Sequence, residues 1–371
     1  MAHRELLRSE PVDVVIVGGG PAGASTAIAL ARASRSVTVL ERSGYEHPGI
    51  GETLPPEARV PLTSLGVWSR FLEQRHVVSP GTLSVWGQDQ VVENHFICNP
   101  HGNGWHVDRR RFDAMLASAA EEAGATLHRR ARITDCEVGR SGDWTIQYVC
   151  DERRCQLRAR FLVDATGRAC TAARRQGAIR RRCDRLTGVF GIFESFEADP
   201  DHRTLVEATA EGWWYSARLP DARMAIAFMS DADLLPPQHP QLRAYWMRQL
   251  QGSVQTRARA AGLTLEHLLQ PLRWIAAGSE ILECSSGARW LATGDAALAF
   301  DPLSAQGIYQ ALRSGLLAAD TIEAALRGES GAAAEWSLRN RHSFEGYMRT
   351  RQAYYRLERR WPGSAFWQRR H

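Results

Sequence analysis

Apolar residues fall into runs whose lengths and periods predict buried strands and helices near both ends of the chain and a block of strands between them. Residues 12–17, VDVVIV, form a β-branched run next to glycines, the pattern of a strand buried on both faces of a parallel sheet. Gly18-Gly19-Gly20-Pro21-Ala22-Gly23 follows, then ASTAIALARAS, small and apolar at helical spacing, then a second strand from Val37 to Leu40 that stops at Glu41. This is a βαβ unit. Phe161 to Gly167, FLVDATG, reads as another strand closing on small residues. Residues 289–327 read as a strand, Gly294-Asp295, a Pro302 loop with Gly307, and a long helix carrying Ile308, Leu312, Leu316 and Ile322. Between these pieces, VFGIF, TLVEAT, GWWYSARL and RMAIAFMS are strand-like, and Pro220-Asp221-Ala222 is a turn joining the last two, so an inserted antiparallel sheet is expected. Residues 331–371 read as helix, with Tyr347, Tyr354 and Leu357 on one side and arginines on the other, until Trp361-Pro362-Gly363 breaks it.

Composition narrows the class. A chain of 371 residues with 44% hydrophobic content supports two domains and excludes a disordered or fibrous protein. The formal net charge is +5, and all 46 residues of the Lys+Arg total are arginine. The absence of lysine excludes Schiff-base and pyridoxal-phosphate catalysis and a P-loop. Eleven arginines lie between Arg153 and Arg185, so the excess charge is local: a solvated face, or a docking surface for a reductase or an acidic protein. No recognition motif accompanies them, and nucleic acid is not an expected partner. The seven cysteines are scattered without a C-x-x-C pair, which predicts reduced thiols, a cytoplasmic setting and no metal site. No export signal or membrane span is expected, since the N-terminus lacks a signal-like apolar region and no apolar run approaches 18 residues.

The glycine spacing carries the chemistry. In Gly18-x-Gly20-x-x-Gly23 the first glycine makes the turn, the second lets backbone approach a pyrophosphate, and the third permits close helix packing. Glu41 lies 18 residues after Gly23, where a carboxylate can accept both hydroxyls of an adenosine ribose. Asp295, after a core strand, suits a ribityl hydroxyl, and Asp301-Pro302 … Gly307 brings backbone and a helix N-terminus against a flavin ring. Three elements spread over nearly the whole chain build one FAD site, which a nicotinamide enzyme with a single βαβ unit does not need. The domain reading is α/β: residues 1–60, 103–185 and 275–330 form a discontinuous FAD-binding domain, 61–102 and 186–274 a substrate domain, and 331–371 a helical C-terminus.

VVIVGGGPAGAS, GIGETLPP, HVDRRRFDAML, LVDATGR and GDAALAFDPLSAQGI together resemble the FAD-dependent monooxygenase and tryptophan-halogenase superfamily over most of the chain. Gly51 to Pro56 and Gly212 to Ala217 resemble in particular the flavoproteins that mature tryptophylquinone cofactors by hydroxylating a Trp in a partner protein. The resemblance implies a Rossmann-like FAD domain of the glutathione-reductase and p-hydroxybenzoate-hydroxylase type. It implies that Gly18, Gly20, Gly23 and Glu41 hold the ADP half, that Arg109 approaches the pyrophosphate, and that Gly51 and Glu52 lie along the flavin. Asp295 would hold the ribityl chain and Pro302, Gly307 and Ile308 the isoalloxazine. Ala22, Arg42, Ile133 and Ala165 join the cofactor-lining set on the same ground.

Departures from the family pattern set the expected reaction. Halogenases of this superfamily carry a lysine between flavin and substrate and a Trp-x-Trp-x-Ile-Pro segment; this chain has no lysine and reads Trp213-Trp214-Tyr215-Ser216-Ala217-Arg218-Leu219-Pro220. Single-component hydroxylases carry an Asp-Gly pair where Thr166-Gly167 stands, so a separate flavin reductase is expected. The resemblance then implies hydroxylation of an electron-rich aromatic through a flavin C4a-hydroperoxide. The substrate is a free aromatic, a carrier-tethered group, or a Trp in a partner protein or peptide. Trp86, His95, His106, Trp213, Trp214 and Tyr215 are candidates for the substrate wall, with at most one of Trp213 and Trp214 facing it. Glu52, Trp213 and His106 are the catalytic candidates. The rival readings are an FAD-dependent reductase of the geranylgeranyl-reductase kind, which shares the Arg-x-x-Phe-Asp pattern, and a flavoprotein that chaperones a partner polypeptide.

Overall fold

Val14, Val15 and Ile16 are fully excluded from solvent because the strand Val12–Val17 has parallel neighbours on both sides, Val37–Leu40 and the end of Arg153–Asp164. The computed structural model that shows this describes residues 11–46, 49–194, 201–236 and 239–371. Residues 1–10, on which the expectation of no export signal bears, lie outside the described residues. The sheet runs in the order Ser286–Gly287, Trp290–Ala292, Arg153–Asp164, Val12–Val17, Val37–Leu40 and Thr126–His128. Ala131–Val138 and Trp144–Cys150 extend it as an antiparallel meander on Arg153–Asp164.

One face of this sheet is covered by the helix Pro21–Arg32, which packs between Arg109–Glu122 and Gly307–Leu326. The contact with Gly307–Leu326 brings backbone close to backbone. A Cβ on Gly315 would lie 2.5 Å from the Ala22 carbonyl oxygen and 2.6 Å from the Ser25 Cβ. Buried hydroxyls are satisfied across the same seam: Ser25 Oγ donates to the Leu312 carbonyl at 2.8 Å and Thr26 Oγ1 to the Gly315 carbonyl at 3.2 Å. Leu62, Leu65, Val67 and Phe71, from Arg59–Ser64 and Trp68–Glu73 and the turn between them, join this core. A domain boundary at residue 61 therefore divides elements that share one core.

The second sheet has seven strands in the order Arg273–Ala276, Leu186–Glu194, Arg223–Asp231, Gly212–Leu219, Thr204–Thr209, Gly81–Val85 and Val92–His95. It is antiparallel except where Thr204–Thr209 pairs in parallel with Gly81–Val85, so the expected antiparallel sheet is a mixed one. The turn after Leu219 forms where expected, with left-handed backbone at Asp221 and Ala222. Strand alternation sends Trp214, Ile226 and Phe228 to one face, under the helix His239–Gly252, and Trp213, Ala225, Ala227 and Met229 to the other.

The C-terminal helix Ala332–Leu357 corrects one expectation. Its inward stripe is Trp336, Asn340, Phe344, Tyr347, Arg351 and Tyr355, whereas Tyr354 and Leu357 are 57% and 60% exposed. This stripe differs from the expected one because its polar members are buried for their hydrogen bonds, which an apolar count does not weigh. The helix also stops at Leu357, before the Trp-Pro-Gly sequence, and Ala365–Gln368 adds a last turn that buries Phe366 and Trp367. Among the described residues no helix is long and apolar enough to cross a membrane.

Overpacking the Gly315 seam is expected to destabilise the protein by about 1–3 kcal/mol in Gly315→Val. At Gly252, where an added Cβ meets nothing within 4 Å, Gly252→Ala should change little. Urea denaturation of the two variants checks the contrast.

Candidate functional site

The turn between Val12–Val17 and Pro21–Arg32 is shaped by three glycines that do different things. Gly18 has φ +105°, and a Cβ there would lie 2.3 Å from the Ala165 carbonyl oxygen, so the turn presses on the end of the neighbouring strand. A Cβ on Gly23 would come within 1.9 Å of the Gly18 carbonyl oxygen, which fixes the helix against its own turn. Gly20 faces open space: an added Cβ there meets nothing within 4 Å. The helix begins immediately after it, with no side-chain cap and no acid in its first turn. Its free N–H groups and dipole therefore point into an uncapped cradle that suits an anion.

Four further groups converge on this cradle. Glu41 is nearly buried and held by the turn itself: Oε2 accepts from Gly19 N–H at 2.7 Å, and Oε1 from the Ser43 N–H and hydroxyl, both at 2.7 Å. Tyr45 closes this side by donating to the Gly19 carbonyl at 3.0 Å. Gly294 sits so close to the helix start that its Cβ would lie 2.6 Å from the Ala22 Cβ, and this contact delivers Asp295 beside the first turn. Asp295 remains half-exposed, with Arg168 Nε 3.8 Å from its carboxylate. Beyond it, Gly307 is exposed at the start of its helix and a Cβ there also meets nothing within 4 Å, while Ile308 is buried in the core.

The Gly51-Glu52 segment is fastened from behind by Arg109. Its guanidinium donates to the Ile50 and Gly51 carbonyls through Nη1 and grips Asp113 with Nε and Nη2 at 3.1 and 2.9 Å. Its charge acts on Glu52 and is felt from Asp295, so these residues share one electrostatic neighbourhood. Glu52 is 4% exposed; its Oε2 accepts from the Tyr215 hydroxyl at 3.1 Å, and Oε1 has no hydrogen-bond partner. Burial pushes the Glu52 carboxyl above the usual range, against the opposing pull of the Tyr215 hydrogen bond and of Arg109. The Tyr215 hydroxyl also lies 2.8 Å from Thr53 Oγ1. Glu52 Oε1 is thus a buried carboxyl oxygen without a hydrogen-bond partner, an exception among buried polar groups that calls for an explanation.

Residues 11–338 match a family model described as an FAD binding domain. The chain belongs to the FAD binding domain family. This flavoprotein is 29% identical over 368 residues to LodB of Marinomonas mediterranea, assigned as an FAD-dependent oxidoreductase, covering 98% of this chain and 97% of that one. It is 26% identical over 349 residues to the flavin-dependent halogenase armH4 of Armillaria mellea, covering 85% of this chain and 65% of that longer one. Among solved structures, it superposes on the flavin-dependent halogenase CmlS with a TM-score of 0.86 and 25% identity, over 98% of this chain and 68% of the other. The peptidyl tryptophan dihydroxylase QhpG, essential for tryptophylquinone cofactor biogenesis, gives 0.81 and 27%, over 97% and 79%. The protein is thus an FAD-binding enzyme of the monooxygenase and tryptophan-halogenase superfamily.

The structure rearranges several candidates of this flavoprotein. Trp213 is fully buried, its Nε1 donating to the Tyr355 hydroxyl at 3.1 Å, and Trp214 is fully buried on the opposite face against Trp246. Neither forms an open substrate wall, because both faces of their strand are covered. His106 is fully buried with Nε2 2.8 Å from Thr204 Oγ1, and burial lowers its pKa to about 3, so it stays neutral as a packing partner. His95 lies exposed on the edge strand beside Glu93 at 2.9 Å, away from the cradle. Arg109 has its fork committed to Asp113 and to the Ile50 and Gly51 carbonyls rather than extended toward the helix start. Arg42 is exposed just after Glu41, and Ile133 is buried in the sheet with its backbone paired opposite Tyr148. Ala165 contributes its backbone to the Gly18 turn. The Glu52–Tyr215 pair bridges 163 residues, and no sequence signal links its members.

The glycine roles separate in two substitutions. Gly20→Ala is expected to hold the fold to within about 1 kcal/mol while weakening FAD binding by more than tenfold. Gly23→Ala is expected to lose both. Thermal denaturation of the apoprotein and flavin-fluorescence titration distinguish them.

Proposed function

We propose that this flavoprotein hydroxylates an electron-rich aromatic ring, free or carried by a protein, peptide or carrier, using O2 and electrons delivered by a separate flavin reductase. The observation that carries the reading is the buried Glu52 carboxyl with its unpartnered Oε1, on the segment proposed to lie along the flavin, in a chain that has no lysine. FAD when bound supplies the electrons and the oxygen chemistry. The chain's own residues bind, exclude water and handle protons. Replacing a ring hydrogen by hydroxyl releases a proton as aromaticity returns, and a carboxylate with a raised pKa is suited to take it at Oε1. Tyr215, between Glu52 Oε2 and Thr53 Oγ1, fixes the carboxyl and offers the next hydroxyl in line.

A separate reductase fits the strand end at residues 164–167. Asp164 is turned inward, accepting from the Thr166 N–H and hydroxyl and the Ala173 N–H, and the position expected to hold an acid toward the cofactor is Thr166. Halogenation is the second reading, favoured by the halogenase relatives. Against it stands the absence of any amine side chain to carry an oxidised halogen.

Incubating the protein with FAD, a flavin reductase, NADH, O2 and tryptophan-containing peptides or free indoles should give a product heavier by one or two oxygen atoms. Adding chloride or bromide should leave that product unchanged; halogenated product would overturn the reading. Reduction by NADH as fast without the reductase would remove the second component. Glu52→Gln is expected to lower hydroxylation by about 100-fold. It also carries a signed pH effect. Because the folded-state pKa of Glu52 is raised, its contribution to stability is present at low pH and is lost as pH rises through that value. The Gln variant should match the parent below about pH 4 and be the more stable at pH 8, as urea denaturation at the two pH values will show.

A further inference from the structure

We infer that the C-terminal helix Ala332–Leu357 is a clamp on the flavin-facing loop, in which Arg351 and Tyr355 act through Asp301 to position Pro302–Ile308. The inference rests on the reading of that loop as the surface against which the flavin ring lies. It does not depend on the substrate or on the reaction.

Asp301 is 1% exposed, and both its carboxylate oxygens and its backbone N–H are engaged. Oδ1 accepts from the Leu303 N–H at 2.9 Å and caps the turn Pro302–Ser304. Oδ2 accepts from the Tyr355 hydroxyl at 2.8 Å and from Arg351 Nε at 2.9 Å. The Asp301 N–H donates to the Tyr347 hydroxyl at 2.7 Å. Tyr347, Arg351 and Tyr355 follow each other at four-residue steps, so one helix face supplies three of these four bonds. The loop they hold is not relaxed: Ala305 adopts left-handed backbone, φ +51°, without being glycine, a conformation the surroundings must impose.

The clamp is itself held in register. Arg351 also lies 3.0 Å from Asp184, and Arg351 and Arg370 stack over the Tyr355 ring at 4.7 and 5.2 Å. Burial and Asp301 push the Tyr355 hydroxyl far above its ordinary range, so it remains a donor. Trp213 donates to the same hydroxyl from the strand Gly212–Leu219. Two residues further along that strand, on the same face, Tyr215 donates to Glu52. One strand thus ties the clamp on Pro302–Ile308 to the Glu52 segment, with the two anchor points about 7 Å apart. Trp213 is a positioning residue of the site.

The test uses the full chain and reads the flavin. Tyr355→Phe and Arg351→Met are expected to weaken FAD binding by about tenfold each, to shift the visible flavin bands and to move the midpoint potential, with Arg351→Lys recovering part of the loss. Trp213→Phe, which keeps an aromatic ring but removes the N–H together with part of the indole, should move the same readouts in the same direction. Tyr354→Phe, on the exposed face, should leave them alone. Gly307→Val probes the loop directly. If it disturbs the flavin while the Tyr355, Arg351 and Trp213 variants bind FAD with parental affinity, spectrum and potential, the clamp is wrong. If Gly307→Val is silent as well, the placement of the flavin against this loop falls, and the clamp with it. A protein that passes these tests but forms no hydroxylated product would retain the clamp and lose only the proposed reaction.

Discussion

The N-terminal turn of the helix Pro21–Arg32 is enclosed by backbone at distances that no side chain survives. Gly18 and Gly23 press the turn onto Ala165 and onto itself, Gly294 brings the Asp295 turn against Ala22, and Gly315 lets the helix Gly307–Leu326 lie on Ala22 and Ser25. Four glycines, drawn from two distant parts of the chain, therefore converge on one helical turn. The groups proposed to face the cofactor inherit their position from this close approach: the free N–H groups, Asp295, and the start of the helix at Gly307. Around this turn Gly20 stands apart from the four, since an added Cβ there meets no neighbour within 4 Å, and the same holds for Gly307 at the start of its helix.

The sequence announces this part of the protein clearly, because glycines that admit no Cβ recur at fixed spacing within a strand–turn–helix context. The βαβ unit, the strand FLVDATG, the Gly294-Asp295 turn, the hairpin at Asp221 and the long helix after Gly307 all form where periodicity and turn chemistry place them. Legibility ends where polar groups are buried for each other. Tyr355, Arg351 and Asp301 form a unit across 50 and 54 residues, and Glu52 and Tyr215 across 163. Such pairs carry no local period, and a buried arginine or tyrosine looks the same in a sequence as a solvated one. The burial of Trp213 and the inward face of the C-terminal helix are hidden in the sequence for the same reason.

Charge shows a similar contrast between composition and structure. The arginine-rich stretch from Arg153 to Arg185 suggested an exposed basic face, yet Arg158, Arg160, Arg168, Arg175, Arg180, Arg182 and Arg185 each lie within 4 Å of a carboxylate. Glu280 serves three of these seven, so part of the local charge is met within the fold and the rest faces solvent. Arginine suits this use: its planar fork serves carbonyls and carboxylates together, as Arg109 does for Ile50, Gly51 and Asp113.

The pairing of Asp301 with Tyr347, Arg351 and Tyr355 also orders events during synthesis. The first strand and the glycine turn emerge early, but Asp301 gains its bonds to Tyr347, Arg351 and Tyr355 only when the helix some fifty residues downstream has formed and docked. With the ring resting on this loop, as inferred above, flavin loading is expected to be coupled to the docking of the last helices rather than to completion of the βαβ unit. A nascent chain halted before Tyr355 would display the dinucleotide cradle without a fixed resting place for the ring.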